Sequence, residues 1–77
     1  MDVKIYTTPT CPYCAMAKKF LKEHNVAYTE INIAVDTRAA QEIIDKTGQM
    51  GVPVLEIGGK LIVGFDIEEI KAALGIA

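Results

Sequence analysis

Apolar and polar positions along the chain change period several times, and each change marks an element. Residues 3–7 (VKIYT) alternate and are rich in β-branched and aromatic side chains, which predicts a strand. From Pro12 to His24 the apolar positions Met16 or Ala17, Phe20 and Leu21 return at helical spacing, with Lys18, Lys19, Lys22 and Glu23 on the opposite side. Pro12 suits the first helical turn, where its missing N–H is not needed, and Asn25 suits the stop. Alternation resumes over 28–33 (YTEINI) as a second strand. Asp36 is placed to cap a helix running to Lys46, with Ala39, Ala40, Ile43 and Ile44 on its apolar side and Gly48 at its end. Two short apolar runs, 53–57 and 61–64, flank Gly58–Gly59, a pair suited to the positive φ of tight hairpin turns. Asp66 with Glu69 three residues on forms a capping box of the broader Asp type, opening a last helix through Ile70, Ala73 and Leu74 to Gly75.

The predicted order is β-α-β-α-β-β-α. The first β-α-β should be a right-handed parallel crossover and the final strand pair an antiparallel hairpin. The expected class is α/β: one four-stranded mixed sheet covered by three helices, forming a single domain over residues 1–77 with no internal repeat or linker.

Composition narrows the setting. At 77 residues, 51% hydrophobic and 23% charged, the chain suits a compact globule near the size where one core only just suffices. Its eight basic and ten acidic residues are interspersed and leave a net charge of −2, which excludes the footprint of a nucleic-acid binder or a polybasic membrane patch. No apolar run approaches the ~18 residues of a membrane span. The opening residues MDVKIYTT lack the charged lead and long apolar segment of a secretory signal. The expectation is a cytoplasmic monomer with no membrane or nucleic-acid partner. In that compartment a lone cysteine pair is more often reactive or metal-binding than a structural disulfide.

That pair is Cys11 and Cys14, at the mouth of the first helix in the stretch CPYC. Positions i and i+3 on a first helical turn bring Cα atoms about 5–6 Å apart, within disulfide geometry. A staple, a metal clamp and a reaction centre are the three available roles. A staple closing so short a loop constrains the unfolded chain little. Zinc requires about four ligands, and only His24 and carboxylates remain beside the two sulfurs, so no metal is expected. A reaction centre uses the position itself. Unpaired N–H groups and the positive end of the helix dipole at residue 11 favour a thiolate, which a nucleophile needs at neutral pH. Cys14, one turn in, should be more buried and more nearly neutral. Cys11 then attacks a substrate disulfide and Cys14 resolves the mixed disulfide. Pro12 stiffens the turn and removes one donor from the thiolate, which should tune the redox potential.

With these residues in view, the sequence resembles the glutaredoxins of the thioredoxin-fold superfamily. CPYC is the dithiol motif of that family, TGQMGVP (residues 47–53) resembles its TGQxTVP stretch, and VGFD (residues 63–66) resembles its GGxD element. The resemblance spans essentially the whole chain and implies the thioredoxin fold, with Pro53 in the cis form beside Cys11. It further implies that the Val52 backbone offers its N–H and C=O to a peptide-like substrate as an added strand. The implied substrate-facing set is Pro12, Tyr13, Gln49, Val52, Pro53 and Asp66.

Departures from the family pattern bear on the electron source. Members that use glutathione commonly hold its carboxylates with a Lys just before the motif, where this chain has Thr8, Pro9 and Thr10, and with an Arg where this chain has Met50. Gly51 stands in place of the Thr of TVP. Each lost charge-assisted bond weakens binding by about 1–3 kcal/mol. Gly64–Phe65 instead resembles the GF element of glutaredoxin-like donors to ribonucleotide reductase, which are often reduced by a thioredoxin-reductase-like flavoprotein. The resemblance thus implies an enzyme without a bound cofactor that reduces protein disulfides, with either glutathione as co-substrate or such a flavoprotein supplying electrons. An iron–sulfur cluster bridged by Cys11 of two chains with glutathione is the alternative, and a proline after the first cysteine tends to disfavour it.

Overall fold

The computed structural model describes residues 2–48 and 53–76. Seven elements follow one another as β1 (Val3–Thr7), α1 (Pro12–Glu23), β2 (Thr29–Asn32), α2 (Thr37–Thr47), β3 (Val54–Ile57), β4 (Lys60–Val63) and α3 (Ile67–Leu74). The order matches the predicted one, and the expected strand ends at Tyr28, Ile33, Pro53 and Gly64 fall just outside the ladders. The sheet runs β2-β1-β3-β4. β1 pairs parallel with β2 and antiparallel with β3, and β3 pairs antiparallel with β4. The hairpin between β3 and β4 turns on Gly58 and Gly59 at φ 56° and 88°, the double positive φ that a type I′ turn demands.

Alternation along β1 and β3 divides the core between the two faces of the sheet. Val3, Ile5, Leu55 and Ile57, with Ile62 of β4, pack against Ala17 and Leu21 of α1 and Ile70 of α3. On the reverse face Tyr6 and Val54 pack with Ile33 and with Ala39 and Ile43 of α2. Two helices therefore cover one face and α2 alone covers the other.

Local signals explain where the helices begin and end. Asp36 and Asp66 cap α2 and α3, each carboxylate accepting from the backbone N–H three residues on, at 3.0 and 3.2 Å. α1 closes in a Schellman turn, with Val26 N–H reaching Leu21 C=O at 2.9 Å and Asn25 N–H reaching Lys22 C=O at 3.1 Å. Asn25 is the left-handed residue of that turn, at φ 57°. Val26 packs on the same cluster as Leu21, completing the motif.

The buried stripe of α1 is Cys14, Ala17 and Leu21, whereas Met16 is 48% exposed and Phe20 only partly covered. Of the two apolar readings of that turn, Ala17 is the inward one. Ala17 packs into the cluster with Val3, Ile5 and Leu21, and Cys14 is buried one turn before it. Leu21→Ala should cost about 2–5 kcal/mol of stability and Met16→Ala less than about 0.5 kcal/mol. Urea midpoints at constant slope provide the check.

Candidate redox site

The site is built at the end of the sheet where β1 stops. Pro9 occupies the second position of a four-residue turn closed by Cys11 N–H donating to Thr8 C=O at 3.4 Å. That turn delivers Cys11 to the N-cap of α1 with extended backbone, φ −91° and ψ 114°, and Pro12 takes the first helical position. Both cysteines are thiols, Cys11 partly exposed and Cys14 buried.

Their surroundings pull the two sulfurs apart. Partial burial works to raise the Cys11 thiol, but the Cys14 N–H, the Cys14 thiol and the Tyr13 N–H together outweigh it and hold Cys11 below its ordinary value. Those amides belong to the second and third helical residues, the donors an N-cap side chain normally serves. Pro12 has no N–H to add. Cys14 goes the other way: burial, chiefly, pushes its thiol up to about 11, with the charge and hydrogen bond of Cys11 adding to the rise. The Thr8 backbone and the Lys18 ammonium oppose that rise without cancelling it.

Sheet register brings the other candidate residues to the same end. Tyr6 pairs with Val54 and Val54 with Val63, so Pro53 follows on beside Thr7 and opposite Gly64. Pro53 C=O accepts from Gly64 N–H at 2.7 Å, which ties the buried proline to the Gly64–Phe65–Asp66 turn. Gly64 sits at φ 89° with open space where a Cβ would point, so backbone conformation and not crowding requires glycine there. Tyr13 stands 57% exposed beside the cysteines. Pro12 is exposed next to it. Asp66 is exposed, with one carboxylate oxygen committed to the α3 cap. Gln49 and Val52, and with Val52 the form of its bond to Pro53, lie outside the described residues.

Sequence reasoning passed over one cluster. Glu30 Oε2 accepts from Thr7 Oγ1 at 2.8 Å and pairs with Lys18 Nζ at 3.0 Å. Lys18 read as a solvated helix face and Glu30 as the polar half of an alternating strand. A signal was available in the spacing, since Lys18 lies four residues beyond Cys14 and so on the same side of α1. Among the described residues no group of three His, Cys, Asp or Glu side chains gathers to hold a metal, and no helix is long and apolar enough to cross a membrane.

A family model for glutaredoxin matches residues 3–62. The chain belongs to the glutaredoxin family. Among relatives, a glutaredoxin-like 8.6 kDa protein of the rubredoxin operon of Clostridium pasteurianum is 44% identical over 68 residues, covering 88% of this chain and 91% of its own. Glutaredoxin 3 of Escherichia coli K12 is 37% identical over 65 residues, covering 84% and 78%. A crystal structure of a mutant of the thioredoxin-like protein BC3987 superposes with a TM-score of 0.92 at 33% identity, covering 99% of this chain and 97% of that one. The glutaredoxin-like NrdH-redoxin of Escherichia coli superposes at 0.80 and 25% identity, covering 94% and 93%. The architecture is the thioredoxin fold, and the activity of this glutaredoxin is thiol–disulfide exchange.

The divergent thiols have a pH signature. Iodoacetamide should label Cys11 with a midpoint below 9.0 and leave Cys14 of the folded protein unlabelled until the pH nears 11. Cys14 is raised in the fold and ordinary when unfolded, so its contribution to the stability of the reduced protein is complete below about pH 9 and lost as pH climbs toward 11. Peptide mapping of labelled protein and denaturant melts across that window measure both effects.

Proposed function

We propose that this glutaredoxin reduces protein disulfides through both of its cysteines. The Cys11 thiolate attacks one sulfur of a substrate disulfide, forming a Cys11 mixed disulfide and expelling the other sulfur as a thiolate that takes up a proton. Cys14 then loses its proton and attacks the Cys11 sulfur. The Cys11–Cys14 disulfide forms, the bond to the substrate breaks, and the second substrate sulfur departs as a thiol. Two electrons have passed from the dithiol to the substrate.

The observation that carries this reading is the placement of two free thiols one helical turn apart, Cys11 partly exposed at the N-cap of α1 and Cys14 buried, an arrangement that lowers the first and raises the second. A single low-pKa sulfur would suffice for attack; a buried partner one helical turn away is what resolution needs. Pro53, Tyr13 and Pro12 line the approach to Cys11, and the Val52 backbone is the proposed contact for an extended substrate segment. Cys11→Ser should abolish disulfide reduction. Cys14→Ser should accumulate the mixed disulfide, visible as an adduct by intact-protein mass spectrometry. Full activity in Cys11→Ser would reverse the assignment of roles.

For regeneration, the electrons come from a thioredoxin-reductase-like flavoprotein, in a cytoplasmic setting. The approach to Cys11 through Thr8, Pro9 and Thr10 supplies no cation for a glutathione carboxylate. The structural neighbour NrdH-redoxin is described by a thioredoxin-like activity profile. A dedicated donor to ribonucleotide reductase is the narrower form of this reading. Glutathione is the second reading, favoured by the higher identity to Glutaredoxin 3, 37% against 25% for NrdH-redoxin. NADPH-coupled assays run in parallel separate them. Turnover should be efficient with thioredoxin reductase and at least about tenfold slower with glutathione and its reductase, as expected from one absent charge-assisted bond. Efficient turnover with glutathione alone would reject the flavoprotein.

A further inference from the structure

Resting on that reading, the second step poses a problem that the first does not. Cys14 must ionise within the fold in order to resolve the mixed disulfide, and it is only 1% exposed. Once Cys11 is tied up in a mixed disulfide it carries no charge and no longer accepts the Cys14 thiol's hydrogen bond as a thiolate, so two of the influences that suppress ionisation at Cys14 vanish. Burial remains, opposed by the Thr8 backbone and by Lys18.

Lys18 is unusually well placed for this. It follows Cys14 by one helical turn on the same side of α1, its side chain is 31% exposed, and its ammonium is fixed 3.0 Å from Glu30 Oε2. That same oxygen accepts the hydroxyl proton of Thr7 at 2.8 Å. Thr7 is the buried polar side chain of the core among the described residues, at 2% exposed, and sits at the last position of β1. A hydroxyl inside the core thus anchors an edge-strand carboxylate, which anchors the lysine over the helix turn that carries Cys14. The titratable and charged groups facing this corner are Cys11, Lys18 and Lys22 from α1, with Tyr28 beside β2 and Glu30 on it.

We propose that Lys18, held by Glu30 and Thr7, is a positioning residue for the resolving step, its fixed positive charge supporting the Cys14 thiolate as that sulfur attacks the Cys11 mixed disulfide. Glu30 is not the base. The Lys18 and Thr7 hydrogen bonds engage its Oε2 and hold its carboxyl below the ordinary range, which makes it a poor proton acceptor, and the Cys14 proton passes to solvent. The arrangement is electrostatic and acts on the second step, because Lys18 lies one helical turn from Cys14 and about two from Cys11.

Reaction with 2,2′-dithiodipyridine tests this, since an uncharged disulfide encounters the protein equally well with or without the lysine. Attack by Cys11 releases the first thiopyridone in a second-order phase, and attack by Cys14 releases the second in a first-order phase. Lys18→Met should leave the first phase and its pH profile unchanged. It should slow the second about two- to fivefold at pH 7 and displace its profile to higher pH. That range reflects a tenfold loss of thiolate per pKa unit, partly offset by the greater nucleophilicity of a more basic sulfur. Lys18→Arg should restore the second phase, and Glu30→Gln should fall between wild type and Lys18→Met. A second phase with the same pH profile in Lys18→Met as in wild type overturns the inference, and a Glu30→Gln protein faster than wild type overturns the anchoring role of Glu30. Absence of a first-order phase in the wild type would instead overturn the resolving role of Cys14 on which the inference rests.

Discussion

Two sulfurs one helical turn apart, held in opposite surroundings, are the constraint on which the molecule's chemistry depends. Neither environment is costly to build. The outer thiol draws on the amides of Cys14 and Tyr13, which every helix start leaves unpaired, and on the Cys14 thiol itself. The interior thiol needs only a helix lying close to its sheet, which Ala17 at 0% exposure allows. A residue larger than Ala17 would overpack the cluster it shares with Val3, Ile5 and Leu21. The turn ending in Cys11 N–H to Thr8 C=O links these conditions, because it aims the strand's exit directly at the cap of α1.

The scaffold carries the same logic to the other side of the site. β1 lies inside the sheet, flanked by β2 and β3, so its C-terminal end is enclosed by neighbours on both sides. Antiparallel pairing places the start of β3, and therefore Pro53, at the end of the sheet where Cys11 sits. The Pro53–Gly64 bond then adds the turn leading into α3. Three segments distant in sequence meet through backbone register alone, without any long side-chain network.

Much of this was legible before any coordinates. Asp36, Gly48, Asp66, Gly75 and the Gly58–Gly59 turn read correctly because capping and hairpin chemistry are local, and short-range backbone demands leave residue-level marks. The Cys11–Cys14 asymmetry read correctly for the same reason. Strand ends at Tyr28, Ile33, Pro53 and Gly64 were less sharp, since a ladder stops where its partner stops and that is a tertiary fact. Met16 and Ala17 were indistinguishable by period, because which of two adjacent positions faces the sheet depends on the rotation of the whole helix. The Thr7–Glu30–Lys18 cluster was the least legible element. Its members come from three separate segments, and each alone reads as ordinary surface or strand.

The unequal dressing of the sheet separates two compartments that substitutions can reach independently. Among the described residues α1 and α3 join the strands of one face in a cluster of eight buried side chains, while α2 joins the other face in a separate, smaller cluster of five. Substitutions at Ala39 or Ile43 of α2 therefore fall in the compartment opposite the helix that carries Cys14, so a repacked α2 leaves the Ala17–Leu21 seam of that helix untouched.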